Sequence, residues 1–117
     1  MKRLAITLSV LAAVCAASTP AMADEAKMLD MMQKKACVTC HKVDGRVGSS
    51  GGPSYKEVAA KYSASDVDML VKRVLEGTVG KEKHWEKEGI TAFMTPNKSK
   101  MTEDEAREMV NWILGLK

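Results

Sequence analysis

Apolar positions recur at helical spacing in four stretches of the 117-residue chain, and no stretch shows the strict alternation of a half-buried strand. From Asp24 to Ala36, the residues Met28, Leu29, Met32 and Ala36 share one face, with acidic residues at the start and Lys34 and Lys35 at the end, where each complements the helix dipole. Ser54 caps a short second helix carrying Tyr55, Val58, Ala59 and Tyr62. Ser65, with Asp68 three positions on, opens a third helix, whose Val67, Leu70, Val71, Val74 and Leu75 make a continuous apolar stripe; Gly77 ends it. Thr102 and Glu105 form a capping-box pair ahead of Ala106, Met109, Val110, Ile113 and Leu114, and Gly115 closes that last helix. The pattern predicts an all-α domain.

Two segments interrupt the periodicity. Lys42 to Pro53 is a glycine-rich loop, a composition that lets backbone approach a ligand closely. Thr78 to Met101 is a long polar connection, of a kind that in a compact domain is usually functional, and Phe93-Met94-Thr95-Pro96-Asn97 lies inside it. Met101, directly before the Thr102 cap, reads as a hydrophobic staple.

The first residues read as a secretory signal peptide: Met1-Lys2-Arg3, an apolar run from Leu4 to Ala17, then Ala21-Met22-Ala23 before Asp24-Glu25. The apolar run is short of the roughly 20 residues a membrane span needs and ends in Ser18-Thr19-Pro20. Ala12-Ala13-Val14 lacks the approach expected of lipid attachment at Cys15. Cleavage is therefore expected after Ala23, leaving a single domain, 24–117, that is released to the periplasm and carries no membrane span. A domain of 94 residues is marginal for a self-sufficient core. Its aromatic residues are only Tyr55, Tyr62, Trp85, Phe93 and Trp112, so a large flat cofactor would relieve that shortage. Losing Lys2 and Arg3 takes the formal charge from +3 to +1, which leaves no electrostatic footprint for nucleic acid.

With Cys15 gone, the only cysteines are those of Cys37-Val38-Thr39-Cys40-His41. Two thiols three positions apart, followed at once by a histidine, is the pattern that captures a haem covalently. Both thiols can add to the vinyl groups on one edge of the porphyrin, and the adjacent imidazole can ligate the iron. The competing uses of the spacing fit less well. A thioredoxin-like dithiol needs a strand–helix–strand setting. A closed zinc site needs four ligands, and beyond this motif the domain has only His84.

The chain resembles the class I c-type cytochromes, specifically the small bacterial single-haem kind. The resemblance covers the whole domain: the helix leading into C-x-x-C-H, the segment from Gly52-Pro53-Ser54-Tyr55 to Tyr62, a methionine before a Pro-Asn pair, and a last helix carrying Asn111-Trp112-Ile113. It implies a cytochrome c fold of about four helices around one covalent haem c. It further implies that Cys37 and Cys40 form the thioethers, that His41 and Met94 are the axial iron ligands, and that Pro53 offers its carbonyl to the other nitrogen of His41. A tryptophan at Trp85 would donate its indole N–H to a haem propionate. The chain departs from the family pattern in a longer interval between Trp85 and Met94 and in Thr95, where proline is frequent.

The function so implied is a soluble, monomeric one-electron shuttle, not an enzyme, exchanging electrons with a reductase, oxidase or dehydrogenase. Two alternatives stand beside it. One is a ligand-binding or peroxide-reactive haem protein with a labile or absent sixth ligand, which the long charged loop and Thr95 make thinkable; separately, His84 is the other imidazole that could take the sixth position in place of Met94. The other is a haem subunit of a larger oxidoreductase. Lys34, Lys35, Lys42, Lys81, Lys83, Lys87, Lys98 and Lys100 fall in segments expected around the haem edge, where they would steer an acidic partner. Glu82, Glu86 and Glu88 interrupt them, as on an ordinary solvated surface.

Overall fold

The computed structural model describes residues 20–81 and 83–116. The charged start and apolar run of the expected leader fall in residues 1–19, outside the described residues. Among the described residues there are four α-helices and no strand: α1 (Pro20–Lys34), α2 (Tyr55–Lys61), α3 (Val67–Glu76) and α4 (Glu103–Leu114). Three one-turn 3-10 helices, at Cys37–Thr39, Ala64–Asp66 and Glu86–Glu88, make the corners. No helix among the described residues is long and apolar enough to cross a membrane.

α1 differs from its expected form at both ends. Its described part already includes Pro20, ahead of the expected start at Asp24, so Asp24 and Glu25 do not lie in a first turn. It ends at Lys34, because Ala36 turns left-handed at φ 61° and swings the chain into the cysteines. Its buried face is accordingly Met28 and Met32, with Met31 packed partly against the same core, while Leu29 stays exposed. Each of those two buried methionines contributes about 1.5–3 kcal/mol.

The capping signals at Ser54 and Thr102 are realised in full. Ser54 Oγ accepts from Glu57 N at 3.1 Å while Ser54 N donates to Glu57 Oε2 at 2.8 Å; Thr102 and Glu105 reciprocate at 3.2 and 3.0 Å. Such a cap is worth about 1 kcal/mol. At the start of α3 the expectation is corrected. The turn opens at Ser63, whose N–H donates to Asp66 Oδ2 at 2.9 Å, and Ser65 lies within the 3-10 turn that precedes the helix. Ser63/Asp66 and Ser65/Asp68 have the same spacing, and the turn leaving α2 selects the earlier pair.

α4 packs against α1, α2 and α3, and a single core forms from Met28, Met32, Tyr55, Val71, Met101, Ala106, Met109, Val110 and Ile113. Ion pairs bind α1 to α4 (Lys27 with Glu108), the turn after α1 to α4 (Lys35 with Glu105) and α4 to α3 (Arg107 with Asp68). Met101 is 4% exposed and shares the core with Ala106, the arrangement expected of a staple.

Candidate functional site

A cavity of about 300 Å³ opens between the Cys37–His41 turn, α2, the ends of α3 and α4, and the 78–101 connection. The sequence-predicted residues Cys37, Cys40, His41, Pro53, Trp85 and Met94 all line it.

On one wall, the 3-10 turn directs Cys40 N and His41 N to the same acceptor, Cys37 O, at 3.2 and 3.0 Å. Cys37 is half-buried and Cys40 exposed. His41 Nδ1 lies 2.7 Å from Pro53 O. A carbonyl only accepts, so Nδ1 carries the proton and the lone pair of the neutral ring sits on Nε2, ready to bind a metal. Burial lowers the His41 pKa more than the Pro53 contact raises it, which keeps the ring neutral. The Tyr55 ring stacks on the imidazole, centroids 5.3 Å apart and planes 19° from parallel. Gly52 closes the cradle: a β-carbon there would stand 2.6 Å from His41 Cε1.

The opposite wall is built from the end of α3. Gly77 (φ 73°) takes the chain out of the helix in a left-handed turn. The next residue, Thr78, exchanges two bonds with Met94: Thr78 N donates to Met94 O, and Met94 N donates to Thr78 Oγ1, both at 2.8 Å. The last carbonyls of α3, which no helical partner satisfies, are taken up by the same loop. Asn97 Nδ2 donates to Val74 O at 2.9 Å, and the N–H groups of Asn97 and Lys98 both reach Leu75 O at 3.1 Å. A β-carbon on Gly77 would lie 2.5 Å from Met94 O, so the approach requires glycine.

Trp85 is half-buried at the mouth, with Lys61 Nζ 4.3 Å from its ring centroid and Tyr62 edge-on at 6.1 Å. His84 also lines the cavity, with its side chain exposed. Of the eight lysines, Lys34, Lys35 and Lys81 form ion pairs with Asp30, Glu105 and Glu76, which dilutes a purely positive rim. Sequence reasoning did not single out Tyr55, Gly52, Gly77, Thr78, Asn97 or Lys61 for this site. Tyr55 read as one more core position, and only the glycine-rich composition of the loop hinted at a backbone cradle.

Among the described residues no group of three or more His, Cys, Asp or Glu side chains could hold a bare metal ion. The donor set is instead one neutral imidazole nitrogen, one thioether and two neighbouring thiols on a largely apolar cavity. That set fits a flat, apolar macrocycle with a central iron and two reactive groups on one edge.

The family model for cytochrome c matches residues 29–117. Cytochrome c-551 of Allochromatium vinosum is 39% identical over 90 residues, covering 75% of this chain and 84% of that protein. Cytochrome c2 of Rhodocyclus tenuis is 34% identical over 89 residues, covering 74% and 89%. The crystal structure of wild-type Nitrosomonas europaea cytochrome c552 superposes with a TM-score of 0.62 at 28% identity, covering 76% of this chain and 99% of that one. The chain belongs to the cytochrome c family: it is a small class I c-type cytochrome with the cytochrome c fold and one covalently attached haem c.

Proposed function

We propose that this haem-based electron carrier is a soluble periplasmic one-electron shuttle, with Cys37 and Cys40 as the thioether attachment points and His41 and Met94 as the axial ligands. One observation carries the reading. His41 and Met94 line the same cavity, each on backbone held in place, and the Pro53 contact leaves Nε2 as the open nitrogen of a neutral imidazole. When bound, the haem supplies a ferric/ferrous couple. The protein's part is to hold both ligands in place, so that little rearranges between the two oxidation states, and to keep water from the iron. Pro53 orients the imidazole and raises its basicity. Thr78, Asn97 and Gly77 position Met94. Trp85 belongs to the haem surroundings, its indole N–H a donor for a propionate. With both axial positions filled, no site is left for a substrate, which favours transfer to redox partner proteins over catalysis. Periplasmic location rests on the leader-like residues 1–23.

A second reading puts His84, which lines the same cavity, in the place of Met94 as the sixth ligand. Visible spectra of the holoprotein with and without carbon monoxide, for wild type and Met94→Ala, decide between them. A low-spin spectrum indifferent to carbon monoxide, with a far-red methionine-to-ferric-iron band that Met94→Ala abolishes, is the expected result. Ready carbon monoxide binding by the wild type would overturn the closed site. Elution as a monomer separates a free shuttle from a permanent subunit.

A further inference from the structure

We propose that Lys61 is a positioning residue of the haem cavity: from the end of α2 it fastens the 84–89 wall, and with it Trp85, across the mouth of the site. The proposal rests on the reading of this cavity as the haem site. The ammonium makes three contacts with one short segment. It donates to His84 O at 2.5 Å and to Glu88 Oε1 at 3.0 Å, and it lies over the Trp85 ring. Tyr62, the next residue along, meets the same indole at an interplanar angle of 70°. Trp85 is therefore held from two sides by consecutive residues of one helix end.

How the two parts of the connection attach to the fold shows why a single lysine matters. Residues 94–98 hang from α3 by backbone bonds. In 84–90, by contrast, the backbone bonds among the described residues close within the segment itself: Glu88 N and Ile90 N reach Trp85 O, and Gly89 N reaches Glu86 O. What ties the turn to the rest of the protein is side chains. Ile90 is buried, Arg46 Nη1 donates to Glu88 O at 2.8 Å while pairing with Glu57, and Lys61 makes the contacts above. An exposed lysine–glutamate pair alone would count for little. Lys61 differs because two of its three partners are a main-chain carbonyl and an aromatic face. Its charge, held against Trp85, which lines the cavity, also disfavours the additional positive charge of the ferric state.

The test compares wild-type, Lys61→Met and Lys61→Arg holoproteins by amide hydrogen exchange and by redox titration. Methionine keeps the apolar stem and removes the charge and both hydrogen bonds; arginine keeps a donor and a cation. In Lys61→Met, exchange across 84–90 should accelerate about tenfold, the order expected for losing a charged hydrogen bond, with α3 and α4 unchanged. The midpoint potential should fall, and Lys61→Arg should restore most of both effects. Wild-type exchange at 84–90 in Lys61→Met, an unmoved potential, or an acceleration spread equally over α3 and α4 would each overturn the proposal. Failure of the axial-ligand reading is seen separately, as the absence of the far-red band in the wild type.

Discussion

The two walls that face each other across the cavity are fastened by different means. The His41 wall is assembled over a short stretch of chain: the cysteine turn precedes His41, and its acceptor Pro53 and stacking partner Tyr55 follow within 14 residues. The Met94 wall joins residues 16 and 23 positions apart, through Thr78 and through Asn97 to Val74. The first wall also depends on an ionic tie, Arg46 with Glu57, that holds the glycine-rich loop to α2. The second uses neutral bonds to the unpaired carbonyls at a helix end. A cavity-lining side chain can thus be positioned by a compact local motif, or by a loop that borrows its rigidity from a helix terminus.

The most disruptive way to break the comparison is to remove what both walls enclose. Cys37→Ser with Cys40→Ser should eliminate haem retention and, because the domain's core is small, most of the folded protein. Absorbance and far-ultraviolet circular dichroism of the purified double variant check this; full accumulation of a folded, haem-free chain would contradict it. A one-sided break is gentler. Gly77→Ala adds a β-carbon in a left-handed conformation 2.5 Å from Met94 O, and should cost about 1–3 kcal/mol while weakening the far-red methionine band. Gly52→Ala, which crowds the imidazole instead, should perturb the histidine resonances in paramagnetic NMR first.

The smallest expected effect separates the walls by pH. The Arg46 guanidinium, followed by the Ser54 N–H, holds the Glu57 carboxyl below its ordinary value of 4.5. A depressed carboxylate pKa gives stability that is present above the unfolded value and lost as pH falls through the folded one. Below about pH 4.5, the 42–57 region should therefore lose exchange protection before Thr78 and Met94, whose bonds to each other carry no titrating group. Glu57→Gln should remove that pH dependence. Simultaneous loss at both walls would show that the ionic tie does not distinguish them.

Much of this architecture was legible along the chain, for local reasons. Ser54 and Thr102 cap their helices as read, since a serine or threonine oxygen and a glutamate three residues on satisfy orphan donors without outside help. Cys37, Cys40 and His41 announce covalent haem by spacing alone. The misreadings were equally local. Two equivalent Ser/Asp pairs bracketed the start of α3, and no apolar pattern foretold that Ala36 would adopt φ 61° and end α1 early.

The helical class, four helix boundaries that carry cap or glycine signals (Ser54, Gly77, Thr102 and Gly115) and the haem-attachment motif could be read along the chain, because each depends on residues within a turn or two of one another. What surrounds the cavity follows from packing between distant segments. Thr78 bonds Met94, Asn97 ties the Met94 loop to Val74, Gly77 makes room, Tyr55 turns from a core position into the partner of an imidazole, and Lys61 meets Trp85. Those contacts join residues far apart in the chain, and their geometry follows from where a helix happens to end, which no periodicity encodes.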